Sequence, residues 1–206
     1  MATQVPSPHE KPSSDSEEDS DIALMQRAGQ GDMQAFEILV HRHQMSVIGT
    51  AAKMLGSQSD ACDIAQQVFL RAWKNAPRYR PTAKFTTWLM TITRNLVFNE
   101  SRRKSKGRLY SLDEHKEDDQ GGIREFPDPT QRPASAITAE KELQAAIDEA
   151  LAELPEKPRL ALILRRFEDM SYEDIAKTLQ ISVPATKSLI FRARSELRQK
   201  LARFFE

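Results

Sequence analysis

Residues 170–194 read MSYEDIAKTLQISVPATKSLIFRAR, which has the spacing of two short helices joined by a tight turn. Ser171 with Asp174 makes a capping-box start. Tyr172, Ile175, Ala176 and Leu179 then recur at helical spacing. Gln180, Ile181 and Ser182 supply the turn, and Pro184 sits where a first helical turn tolerates proline. In the next helix Thr186, Ile190, Ala193, Leu197 and Leu201 share one face. Ser188, Phe191, Arg192 and Ser195 share another, flanked by Lys187, Arg194 and Arg198. A helix with one apolar face and one basic, polar face can pack on its hairpin and sit in a major groove.

The 206 residues leave room for one large or two small domains. Net charge is formally zero, yet the charge is blocked. Arg102, Arg103, Lys104, Lys106 and Arg108 form one basic block and residues 192–203 another; acidic stretches at 15–19 and 113–119 cancel them. A single cysteine, Cys62, excludes an internal disulfide, fits a reducing compartment and reads as buried filler in a helix. No apolar run is long enough for a membrane span and no leader is evident, so a cytoplasmic protein without membrane insertion is expected. His41 and His43 lie two apart and do not face each other on a helix. No carboxylate or cysteine set completes a metal site, and no phosphate-cradling glycine loop or nucleophile elbow appears. No enzyme activity, catalytic residue, metal or cofactor is expected.

The fold class expected is all-α: two small helical domains joined by a flexible linker, the C-terminal one a helix-turn-helix of winged-helix-like form. Residues 1–20 are rich in Ser, Pro and acids and read as a disordered tail. Helical patterns follow over 21–104, with breaks at Gly29 to Asp32 and Gly56 to Ser59 and a loop near Pro77 and Pro81. Residues 105–137 carry Gly121, Gly122, three prolines and many acids, as a linker does. Its length of about 33 residues reaches roughly 100 Å if fully extended. Helical periodicity resumes over 138–206. With no core in the linker, the two modules are expected to fold independently.

The first module contains Phe85, Trp88, Leu89, Ile92, Arg94 and Asn95 on one long helix that continues to Arg102 and Arg103. Aromatics can stack on unpaired bases while Arg and Lys hold phosphates. Leu89, Ile92 and Leu96 read as core; Trp88 reads equally as core or as a base-stacking ring. The chain here resembles the sigma-70 family of sigma factors, in its small extracytoplasmic-function group. Residues 60–73 (DACDIAQQVFLRAW) resemble the family's core-polymerase-binding helix, 85–103 its −10 melting and recognition segment, and 170–194 its −35-binding helix-turn-helix. The three motifs stand in the family's order. Gln67 replaces a usual acid, Pro184-Ala185-Thr186 replaces a usual Gly-Thr-Val, and Leu189 stands where Arg is common.

The resemblance implies a factor that binds core RNA polymerase, directs it to promoter DNA and helps open the duplex. Asp60, Asp63, Gln66, Gln67, Phe69, Arg71 and Trp73 would meet the polymerase. Arg78, Tyr79, Arg80, Lys84, Trp88, Arg94, Asn95, Arg102 and Arg103 would serve the −10 element, where a flipped base costs a few kcal/mol to extrude. Lys187, Ser188, Phe191 and Arg192 would serve the −35 element, with Arg192 suited to guanine O6 and N7. An anti-sigma factor is a further partner that the resemblance suggests. Two other classes compete: a sigma-like decoy that binds an inhibitor instead of DNA, and an ordinary two-domain helix-turn-helix regulator. A decoy is expected to lose the basic contacts this chain keeps, and a regulator has no need of the 60–73 signature.

Overall fold

The computed structural model describes residues 20–110 and 134–204. The expected tail before Ser20 and the central part of the expected linker, 111–133, lie outside the described residues. Among the described residues the regular structure is all helix: α1 (Asp21–Gly29), α2 (Met33–Leu55), α3 (Gln58–Asn75), α4 (Phe85–Tyr110), α5 (Ala134–Glu153), α6 (Glu156–Arg166), α7 (Tyr172–Leu179) and α8 (Val183–Lys200). Short 3-10 turns follow α3 at Ala76–Arg78 and α8 at Ala202–Phe204. The helix-turn-helix thus carries no strand among the described residues. Both α4 and α5 reach into the stretch that composition marks as linker.

The helix starts are written in the sequence. Ser20, Asp32, Ser57, Ser171 and Ser182 each accept a bond from the amide three residues on, satisfying one of the first-turn donors that have no partner within the helix. α2 stops at Gly56, whose φ of 68° is the left-handed cap that glycine adopts without strain. Gly29 answers a different need. A Cβ there would lie 2.6 Å from the Ala76 carbonyl oxygen, so α1 approaches the turn after α3 more closely than any side chain allows. α1 is also tied to α2 through Asp21, which meets His43 Nε2 at 2.7 Å and Arg42 at 3.2 Å.

α2, α3 and α4 pack on one another, and α6, α7 and α8 form the second module. The modules do not stand apart. α4 packs along α7, and α2 along α5 and α6. Leu39, Val47, Leu89 and Val97 share one apolar cluster with Leu160, Ile163, Leu164, Ile175 and Ile190. The two modules, expected to fold independently, pack on one another through this shared core. The reason lies in α4. Phe85, Leu89 and Leu96 are buried as its core stripe, but Thr87 and Arg94, two turns apart on another face, are buried as well. α7 covers that second face, and a polar pair gives no hydrophobic period to announce it.

Candidate functional site

α8 sorts its side chains cleanly. Thr186, Ile190 and Ala193 are buried on the hairpin, while Lys187, Ser188, Phe191 and Arg192 are exposed together on the far side. Phe191 is 75% exposed. Lys187 Nζ lies 5.8 Å from the Tyr172 ring centroid, and Arg192 Nε reaches back to the Ser188 carbonyl at 3.4 Å. The four residues form one basic, part-aromatic strip with access to solvent.

The second strip runs along α4 and the loop before it. Arg78, Arg80, Lys84, Asn95, Arg102 and Arg103 are exposed. Tyr79 is not. It is 9% exposed, its ring packs 5.0 Å from Trp88 and 6.3 Å from Phe85, and its hydroxyl has no hydrogen-bond partner among the described residues. Burial, helped by the Asp21 carboxylate, pushes the Tyr79 phenol up from its ordinary pKa. Trp88 is half-buried in this aromatic cluster, which accommodates both readings of its role. Arg94 turns inward. It is 8% exposed, donates Nη1 to the Thr178 carbonyl at 2.6 Å and meets the Asn95 side-chain oxygen with Nε at 3.1 Å.

Six further contacts cross between the modules. Thr87 Oγ1 donates to Asp174 Oδ1 at 3.1 Å, and Lys84 Nζ lies 3.2 Å from Asp174 Oδ2. Ser46 and Thr50 of α2 donate to the Glu168 carboxylate, Thr50 at 3.2 Å. Arg159 Nη1 donates to the Met54 carbonyl at 2.9 Å. Lys53 lies over the Phe167 ring at 4.5 Å. Asp174 is 7% exposed and also accepts from Ser171 Oγ. Burial works against its charge, but the bonds from Ser171, Lys84 and Thr87 outweigh it and hold the carboxyl below its ordinary pKa. Beside the Arg94–Thr178 contact, Arg71, Arg94, Arg102 and Lys157 line a basin of about 510 Å³ with no carboxylate in its wall.

The third surface is α3. Asp63, Gln66, Gln67 and Arg71 are exposed along it, whereas Phe69 is buried and Trp73 is partly buried. Trp73 lies 5.0 Å and Phe69 6.5 Å from the Phe36 ring of α2. These three rings floor an open apolar groove of about 450 Å³ between α2 and α3, rimmed by Met33, Cys62 and Leu70. Asp60 stands apart from the others. Its carboxylate pairs with Lys104 of α4, whose hydrogen bond, with that of Ser57, holds it below its ordinary pKa. Cys62 is exposed on the groove rim, which corrects the reading of it as buried filler.

Comparison with known proteins follows the same division. The family profile Sigma-70 region 2 matches residues 39–107, over α2 to α4, and Sigma-70 region 4 matches 144–197, over α5 to α8. An extracytoplasmic-function RNA polymerase sigma-E factor of Haemophilus influenzae is 32% identical over 186 residues, 88% of this chain and 95% of the relative. The RNA polymerase sigma-H factor of Pseudomonas aeruginosa is 30% identical over 188 residues, 89% and 95% of the two chains.

The chain belongs to the sigma-70 family. It is an RNA polymerase sigma factor of the extracytoplasmic-function group. Two solved structures share its fold. CnrH, in complex with the cytosolic domain of CnrY, superposes with a TM-score of 0.63 at 24% identity, covering 90% of this chain and 98% of the other. RpoE of Bartonella quintana, in complex with the anti-sigma factor NepR, gives 0.65 at 21% identity, covering 82% and 98%.

Several residues of this sigma factor escape motif reading. Met33, Phe36 and Val40 line the α2 side of the groove, and their periodicity alone assigns them to the core. Only the structure shows that Met33 and Leu70, 73% and 53% exposed, leave this face uncovered. Thr87, Glu168 and Arg159 bind across the seam, and no local pattern marks them. Among the described residues no group of three or more His, Cys, Asp or Glu is placed to hold a metal, and no helix is long and apolar enough to cross a membrane.

Proposed function

We propose that the three surfaces divide the work of promoter recognition. The groove between α2 and α3, with Asp63, Gln66, Gln67, Phe69, Arg71 and Trp73, receives core polymerase. Asp60 acts at one remove, by fixing α3 to α4 through Lys104. The loop and α4, with Arg78, Tyr79, Arg80, Lys84, Trp88, Arg94, Asn95, Arg102 and Arg103, take the −10 element. The strip Lys187, Ser188, Phe191 and Arg192 enters the −35 major groove, where a helix fits and base edges are distinguishable. Each module alone binds weakly, and joining them raises the effective concentration of the second at correctly spaced elements.

The observation that carries this reading is the sorting of α8, which leaves a basic, aromatic strip uncovered opposite a fully buried face. The chain works without catalysis of its own, in the cytoplasm. The apolar groove is also the surface suited to an amphipathic helix of an anti-sigma factor, the kind of partner held in the similar RpoE structure. The functional units are residues 21–104 and 138–206, joined by the acidic linker. Reconstituted transcription tests the whole: the chain and core polymerase are incubated with genomic DNA and the transcript starts mapped. Starts preceded by a shared pair of spaced elements are expected. Transcription no greater than with core polymerase alone would overturn the reading.

A further inference from the structure

We propose that the basin between the modules binds a small phosphate-bearing ligand, with the charge of a polyphosphate, at a site that neither module makes alone. Its wall draws Arg71 from α3, Arg94 and Arg102 from α4, and Lys157 from the first turn of α6. Among the described residues none of these four cations has an anionic partner. A single surface cation is screened by water, whereas several in one concave wall with no carboxylate among them focus a positive field. The volume of about 510 Å³ falls within the range of roughly 300–1,000 Å³ that small-molecule sites occupy. Arg94, Asn95 and Arg102 also belong to the −10 surface, so the ligand and a −10 strand exclude each other, a consequence that rests on the reading given above.

Arg94 distinguishes this basin from a solvated basic patch. It is 8% exposed, so its charge is largely stripped of water, and burial pulls the guanidinium down from its ordinary pKa. Its partners are neutral: the Thr178 carbonyl and the Asn95 side-chain oxygen. These take three of its five N–H groups, and two have no partner among the described residues. A buried cation with only neutral partners gains from an anion, because a hydrogen bond between charged groups is stronger than one to a neutral oxygen. Arginine forks match phosphate oxygens in pairs, and Lys157 adds a point charge. Asn95 and Asn99 share the Arg102 face of α4 at helical spacing, and Gln180 stands at the end of α7, all three exposed in the wall. Their amides can both donate and accept, and Phe98 and Leu179 add apolar surface. That lining suits the sugar and base of a nucleotide as well as its phosphates.

The test titrates the full chain, free of polymerase and magnesium, with inorganic triphosphate, ATP and GTP in a calorimeter. Saturable one-to-one binding of triphosphate is expected, and Lys157→Glu should weaken it by about tenfold or more. Arg166→Glu makes the same charge change at the other end of α6, about 14 Å along its axis, and should leave affinity within about twofold. Neither residue is assigned to DNA or polymerase. ATP or GTP binding more tightly than triphosphate would make the ligand a nucleotide, and equal affinities would make it a free polyphosphate; either supports the site. No saturable binding to wild type would overturn it, as would equal weakening in the two variants, which means diffuse charge only. If Lys157→Glu melts early, Lys157→Gln carries the same expectation. Transcription with core polymerase keeps the two levels apart. Its loss in wild type sinks the reading of the −10 surface; intact transcription without triphosphate binding sinks only the ligand site.

Discussion

Arg94 of α4 donates through Nη1 to the Thr178 carbonyl in the last turn of α7, at 2.6 Å. That carbonyl is one of the four at a helix end that lack a partner within the helix, and the negative end of the helix dipole favours a cation there. Arg159 does the same at the other flank, meeting the Met54 carbonyl in the last turn of α2. A guanidinium that suits a phosphate also suits a helix C-terminus. One residue can therefore serve DNA in one state and the protein's own backbone in another.

On α8 the two kinds of contact separate. Arg192→Ala is expected to cost about 1–3 kcal/mol at the −35 element and to relax preference at one base pair. Lys187→Ala weakens binding evenly across sequences and lowers the salt slope by about one. Titrations of sequence variants at several salt concentrations distinguish them. Unchanged preference and unchanged slopes in both would mean that α8 does not dock in the groove.

The polymerase surface is tested by Asp63→Lys with Gln66→Lys. Both side chains are exposed, so the helical circular dichroism stays as in wild type. Co-purification with core polymerase is expected to fail. Retained co-purification would place the contact elsewhere.

Gly29→Ala reverses the usual sign of a helix substitution. Alanine in a helix is favoured by about 1 kcal/mol over glycine. Here the added carbon meets the Ala76 carbonyl at 2.6 Å, and backbone cannot swing aside as a flexible side chain does. The melting temperature should fall rather than rise, and −10 binding should weaken because the turn at Ala76–Arg78 must shift. A variant more stable than wild type would contradict the close approach.

Acid should weaken the fold through Asp21, Asp60 and Asp174, all held below their ordinary pKa of 3.8. At Asp21 and Asp174 burial opposes the shift and the hydrogen-bond donors prevail; at Asp60 the Lys104 bond leads. A carboxyl depressed in the folded state stabilises fully above its unfolded pKa, and that contribution goes as pH falls through the folded one. Their contribution to the melting temperature is therefore level from about pH 5 upward and declines below about pH 4. Asp174→Asn should be less stable at pH 7 and show a shallower acid decline. Equal declines would remove Asp174 from the linkage.

The helices were legible because their caps and periods are local. Ser171 and Asp174 announce α7, and the Thr186, Ile190, Ala193 stripe fixes which face of α8 is free. The seam was not legible, since Thr87, Glu168 and Arg159 pair with residues 87 to 122 positions away or with bare carbonyls. Asp174 shows the limit most plainly. Its capping role is readable three residues back at Ser171, yet nothing local reveals that Thr87 and Lys84 also use it. Tyr79 fails differently: a tyrosine in a basic loop reads as exposed, and only packing against Trp88 and Phe85 buries it.

Opening of the α4–α7 seam is measured most directly by a pair of spin labels across it. Asn99 and Lys157 are exposed residues on the wall of the same basin, one from each module. Cysteines at both positions, with Cys62→Ser, give a distance free of other thiols. A single short, narrow distance is expected in the free chain, lengthening when core polymerase and promoter DNA are added. A broad distribution in the free chain, or a short distance that persists in the promoter complex, would contradict it.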